Sequence, residues 1–234
     1  MVIKDTVKKI LGGRILGWWD FLRHSPSSWG KPFNGQQFRQ RIFFDLLYYF
    51  PIKAIVETGT YRGITTAFFG ATTLPVYTAE IHPRFFAYAR LRFLFNRDVI
   101  HLHKQDSRSF LRALSANPLI PKADVFFYLD AHWEADLPLR EELEIIFTNW
   151  QRPVIMIDDF AVPGSAYAFD DYGPGKTLDL SYIEPVVASH KLAVFFPAVQ
   201  PAEETGLKRG SVVLCPESLG LEIEANVKTL IRHR

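Results

Sequence analysis

Two apolar runs of this chain end in aspartate: Val125-Phe126-Phe127-Tyr128-Leu129-Asp130 and Val154-Ile155-Met156-Ile157-Asp158-Asp159. Unbroken apolar runs of this length suit strands covered on both faces, as in parallel sheets. Neighbouring strands lie about 4.8 Å apart, so acids at their tips can share one hard cation. The carboxyl ends of such strands are also where open α/β sheets bind ligands. The competing reading of Asp158 and Asp159 is a turn whose acids cap a following helix. Pro163 and Gly164 give that helix no clear start.

Three other polar strand exits come earlier in the chain. Glu57-Thr58-Gly59-Thr60-Tyr61-Arg62-Gly63 follows a short apolar run, and its glycines allow a tight turn and close approach to a ligand. The Gly-x-x-x-Gly spacing is not the dinucleotide fingerprint, which disfavours a nicotinamide dehydrogenase. Glu80 ends the next run, where an acid can accept both ribose hydroxyls of a nucleoside. Asp106 and Ser107 follow a third run at a helix start. They can accept the amino group of an adenine, or Asp106 can serve only as a helix cap.

These residues need a scaffold, and the pattern between them supplies an α/β alternation. The spacing predicts helices at Gln36 onward, Thr65–Phe69, Pro83–Phe95, Ser107–Leu114, Pro138–Trp150 and Leu180–Ser189. Two closing runs, Leu192–Phe196 and Ser211–Leu214, read as an antiparallel hairpin at the edge of the sheet. The stretch Phe160–Lys176 reads as a lid or as a surface loop; Tyr167, Asp170, Asp171, Tyr172 and Lys176 suit a polar acceptor.

Residues 1–35 differ in character from the domain expected over 36–234. Val7, Ile10, Leu11, Ile15, Trp18, Trp19 and Leu22 recur at roughly helical spacing among Lys4, Lys8, Lys9, Arg14 and Arg23, and Gly12-Gly13 weakens a continuous helix. Residues 1–24 can pack on the domain, on a partner subunit of a homo-oligomer, or peripherally on an anionic membrane. Residues 25–32 read as a linker. No run approaches the roughly 18 apolar residues of a membrane span and no signal-peptide pattern opens the chain, so the expectation is cytoplasmic. Cys215 is the only cysteine, which excludes a disulfide framework, and a net charge of +2 points to no nucleic-acid partner. With 234 residues and 48% apolar content the chain can bury one large core.

Residues 54–159 resemble the core of the class I S-adenosylmethionine-dependent methyltransferases. The resemblance implies a doubly wound, Rossmann-like α/β fold: a seven-stranded sheet, mostly parallel, with an antiparallel closing strand. It implies S-adenosylmethionine contacts at Glu57, Gly59, Thr60, Gly63, Glu80, Asp106, Ser107 and Asp130. The acidic pair is similar to that of metal-dependent O-methyltransferases acting on catechols and macrolide sugars. That likeness implies Mg²⁺ or a similar ion on Asp130, Asp158 and Asp159, and a small-molecule or glycan acceptor whose hydroxyl the ion acidifies. Catechol-type enzymes carry a lysine shortly after the strand-four aspartate. Here the segment reads Asp130-Ala131-His132-Trp133-Glu134-Ala135-Asp136, which disfavours catechols and leaves His132 as candidate base beside Asp158. His132 and Trp133 can instead line an adenine pocket. A metal-independent methyltransferase and a non-catalytic nucleoside-binding or scaffold protein of the same fold are the alternatives.

Overall fold

The computed structural model describes residues 2–24, 30–132 and 136–234, the first ten of these by backbone alone. The readings placed on residues 25–29, Trp133 and Glu134 lie outside the described residues.

The strands form one sheet in the order β3 (Ile100–His103), β2 (Val76–Ala79), β1 (Ala54–Thr58), β4 (Val125–Leu129), β5 (Val154–Asp158), β7 (Ser211–Pro216), β6 (Leu192–Pro197), β8 (Leu230–Arg232). The first five are mutually parallel, while β7 runs antiparallel to both β5 and β6, and β8 antiparallel to β6. The expectation of seven strands is corrected to eight. The extra strand and the helix before it, α8 (Glu217–Asn226), lie beyond Ser211–Leu214, the last run assigned an element from the sequence.

Alternation along the strands sorts their side chains to two cores. Val125, Phe127, Leu129, Ile155 and Ile157 pack under α5 (Ser107–Ala116), α6 (Leu139–Asn149) and α7 (Leu180–His190). Phe126, Tyr128, Val154 and Met156 pack on the other face under α2 (Gln37–Tyr49), α3 (Ile64–Gly70), α4 (Pro83–Arg92) and α8. Burial on both faces explains why these runs show no polar alternation. Ahead of α2, the turn Pro32–Gly35 inserts Phe33 into this second core, edge-on to Tyr128 with ring centroids 5.2 Å apart.

Helix α1 (Val2–Arg23) runs unbroken through Gly12-Gly13 and lies on α4. Asp20 accepts two hydrogen bonds from the Arg84 guanidinium, at 2.7 and 2.9 Å, and Phe21 packs edge-on to Tyr88. Gly17 permits this approach: a Cβ there would lie 2.2 Å from the Arg84 carbonyl oxygen. Gly17→Ala would gain about 1 kcal/mol in helix propensity. The clash is nevertheless expected to win and lower stability by about 1–3 kcal/mol, the usual cost of overpacking. Urea unfolding measures the sign, and a stabilised variant would show that α1 does not sit where described.

A candidate cofactor cleft and cation cluster

The strand exits meet in one cleft of about 410 Å³ at the carboxyl edge of the sheet, on both sides of the β1–β4 switch point. That is where open α/β sheets bind ligands, and the volume suits a small organic molecule. Gly59 turns the chain out of β1 with φ +88°, and an added Cβ would fall 2.1 Å from the Asp130 carbonyl oxygen. The glycine is therefore required by the β4 backbone beside it as well as by the turn. Glu80, one residue past β2, is buried, and its two carboxylate oxygens accept the Tyr61 and His82 backbone N–H groups, each at 2.7 Å. These bonds fix the carboxylate at the cleft wall. Burial raises its pKa to about 7.

After β3, Asp106 caps α5 by accepting the Ser109 N–H at 3.1 Å, as the capping reading expects, and it also lines the cleft. Ser107 lines the cleft beside it, and the buried Oε1 of Gln105 has no hydrogen-bond partner. An unpaired buried acceptor is costly unless a ligand completes it. Gln105, the Glu80 carboxylate and the Asp106 cap thus offer acceptors spaced along one wall, which fits a nucleoside. Tyr61 and Phe85, with ring centroids 4.3 Å apart, supply an apolar surface.

Three of the expected cofactor contacts are placed elsewhere. Glu57 is buried below the cleft, where it accepts the Thr66 and Thr78 hydroxyls, and desolvation raises its pKa to about 7. Thr60 pairs with the Thr78 hydroxyl at 2.6 Å. Gly63, at φ +69°, starts α3 against the Phe93 ring. These residues shape the loop from beneath and do not line the cleft.

At the other end of the cleft, Asp130, His132 and Asp159 each offer a ligand atom within 4.8 Å of the others. Asp158 does not join them, which corrects the expected trio of aspartates. Its carboxylate lies on the opposite face, where it accepts the Arg39 guanidinium, the Tyr128 hydroxyl and the Asn34 amide. Arg39 also donates to the Arg209 and Gly210 carbonyls, and both charged side chains are almost fully buried. Desolvation opposes ionisation of Asp158, but Arg39 holds its pKa below the usual carboxylate value.

His132 is 3% exposed at its side chain, and its Nε2 has no hydrogen-bond partner; it lies 3.8 Å from Asp130 and 3.9 Å from Asp170. Burial lowers its pKa and favours the neutral imidazole that a metal requires. Asp159 and Asp170 share the Arg209 guanidinium, with Asp159 at 2.6 Å. Asp170 belongs to the loop 160–176, which is tied down as a wall: Phe160 and Tyr167 are buried, and Tyr172 donates to Asp170 at 2.6 Å.

Below Ser107, Glu142 of α6 is buried with its Oε1 unpartnered, and burial raises its pKa to about 7 from an ordinary 4.5. Between those values the unfolded chain has lost this proton and the folded chain retains it. Stability therefore falls as pH rises through the window, and the full cost stands above it. Glu142→Gln is neutral throughout. It is expected to raise the melting temperature at about pH 8 and to match the parent near pH 4.5, at about 1.4 kcal/mol per unit of pKa difference. Equal melting temperatures at both pH values would show that Glu142 carries no such cost.

No protein-family model matches the chain, and no curated protein sequence does. Solved structures do match. An O-methyltransferase from Bacillus cereus in complex with SAH aligns with TM-score 0.57 and 16% identity, over 76% of this chain and 81% of that one. The O-methyltransferase TomG from Streptomyces achromogenes, involved in tomaymycin synthesis and in complex with SAM, aligns with TM-score 0.55 and 15% identity, over 77% and 79%. A putative O-methyltransferase from Klebsiella pneumoniae aligns with TM-score 0.50 and 17% identity, over 76% and 80%. With its sheet order, its antiparallel closing strands and these alignments, the chain has the fold of the class I S-adenosylmethionine-dependent methyltransferases.

Proposed function

We propose that the protein is an S-adenosylmethionine-dependent O-methyltransferase that uses a divalent cation and methylates a hydroxyl of a sugar, a glycosylated natural product or a similar polyol. The observation that carries this reading is the Asp130–His132–Asp159 cluster, which shares a cleft with the Glu80 carboxylate. The unpartnered His132 Nε2 is the atom that a cation would complete. Two carboxylates and an imidazole suit Mn²⁺ better than the all-oxygen sphere of Mg²⁺, so Mn²⁺ is expected to lead. When bound, such an ion lowers the pKa of an acceptor hydroxyl.

The chain's own residues supply the rest. Glu80 and Gln105 orient the nucleoside, and the Tyr61–Phe85 pair shields one side from water. Asp170, held by Arg209 and Tyr172, offers the acceptor side a fixed polar wall. One nitrogen cannot both bind a cation and take a proton, so ligation by His132 Nε2 leaves the general-base role to another group.

A second reading keeps methyl transfer and drops the ion, because Arg209 already pairs with both Asp159 and Asp170. Calorimetry with S-adenosylmethionine, followed by turnover on a panel of polyols before and after chelation, separates the two. Binding with turnover lost to EDTA and restored by Mn²⁺ supports the first. EDTA-insensitive turnover supports the second, and an absence of cofactor binding removes both.

A further inference from the structure

The face of α1 turned away from α4 is apolar and open. Ile15, Trp18, Trp19 and Leu22 recur at i, i+3, i+4 and i+7 and are 63%, 54%, 52% and 77% exposed. A solvent-facing helix side is ordinarily polar, so an uncovered stripe of this kind marks a contact surface. Arg14 and Arg23 are exposed on the same helix, and the Arg23 guanidinium lies 4.2 Å from the centre of the Trp19 ring. Along the helix, Lys4, Lys8, Lys9, Arg14 and Arg23 stand against Asp5 and Asp20. Asp20 is turned inward and neutralised by Arg84 and Arg62. The excess charge of the helix is therefore cationic.

We propose that α1 docks the protein on an anionic lipid surface, with the tryptophans at headgroup depth and the arginines on lipid phosphates. Paired tryptophans with flanking basic residues are what an interfacial helix needs, and no helix among the described residues is long and apolar enough to cross a membrane. Burying the stripe against a second copy of itself would bring cationic flank to cationic flank, which disfavours that occupant. The mount is firm. Asp20 holds Arg84 of α4 together with Arg62, the neighbour of the cleft residue Tyr61, so a docked helix holds the cleft at a fixed setting above the lipid.

The test is co-sedimentation of the full chain with vesicles of phosphatidylcholine alone and of phosphatidylcholine mixed with phosphatidylglycerol. Partition onto the anionic vesicles is expected to be at least ~10-fold tighter, given the attraction of a charged surface for each basic side chain. The double variant Trp18→Ser/Trp19→Ser should lose this binding and keep the parent's melting curve, because both side chains are exposed. Arg14→Glu/Arg23→Glu should lose the preference for anionic vesicles. Equal partition onto both vesicle types, or a tryptophan variant that pellets like the parent, would overturn the proposal. So would a concentration-dependent dimer in sedimentation velocity that the tryptophan variant abolishes without any vesicle binding, which would assign the face to a second copy.

Discussion

Arg39→Met is expected to destabilise the protein by about 3–5 kcal/mol, the usual cost of removing one partner of a buried ion pair. The substitution is close in volume, so packing is largely kept. What it leaves is the Asp158 carboxylate, 2% exposed at its side chain, with the Tyr128 hydroxyl and the Asn34 amide as its remaining side-chain donors. The Arg209 and Gly210 carbonyls each lose one donor at the same time, keeping the Gln36 amide and the Phe160 backbone N–H, respectively. Against a total stability of about 5–15 kcal/mol this is a large loss, and a folded fraction at 37 °C is not assured. The double variant Arg39→Met/Asp158→Asn distinguishes this account from simple overpacking. With no buried charge left, it should recover most of the loss, and replacing buried pairs by neutral groups is often close to neutral. Urea unfolding of the two single variants and the double closes the cycle. Additive losses would mean that Arg39 and Asp158 do not act as a pair. Such additivity would also return Asp158 to the list of groups available for chemistry.

Asp158 shows where the sequence was legible and where it was not. Strands β4 and β5 were readable because burial on both faces leaves an unbroken apolar run, whereas the edge strand β3 reads Ile100-His101-Leu102-His103 and was marked by alternation instead. Each of the five parallel strands runs out into a polar residue at the cleft edge. Adjacent residues of a strand point to opposite faces. Tyr128, Met156 and Asp158 share one face, and Asp159 leaves the strand with φ +54° toward the other side of the turn. Two neighbouring acids at a strand tip therefore do not aim at one ion by default. A signal for the ion pair was also present: Arg39 sits at i, i+3, i+4 and i+7 spacing with Ile42, Phe43 and Leu46, on the apolar stripe of α2. An arginine on a buried stripe requires a buried acid. Arg209 was not legible, because it reaches Asp159 and Asp170 across fifty and thirty-nine residues of chain, respectively, and no local period marks such a contact. The same holds for Gln105 and Tyr61, which gain their meaning from the wall opposite.

Asp130→Asn is expected to abolish cation binding and to lower methyl transfer more than ~100-fold, since even the outer partners of metal ligands are worth 10–100-fold. The reason lies in how charge is distributed at the cluster. Asp158 has Arg39 and Asp159 has Arg209, but among the described residues Asp130 has only the neutral His132 within 4 Å. Although 37% of its side chain opens to the cleft, the surrounding protein and the Asp158 and Asp159 carboxylates raise its pKa well above the ordinary value. A cation must displace that proton, so its affinity should climb with pH, by up to tenfold per unit while one proton is exchanged. The same shift fixes the sign of the stability effect. Above an unfolded pKa near 3.8, the folded state holds a proton that the unfolded chain has lost, so Asp130 costs stability increasingly as pH rises toward its folded pKa. The asparagine removes that cost and should melt at or above the parent's temperature near neutral pH, even as cation binding disappears. Calorimetric titration with Mn²⁺ at several pH values, alongside melting curves, reads both quantities from one preparation. A variant that binds Mn²⁺ like the parent would place the ion elsewhere. If instead binding fell together with the melting temperature, Asp130 would be holding up the fold and not the cation.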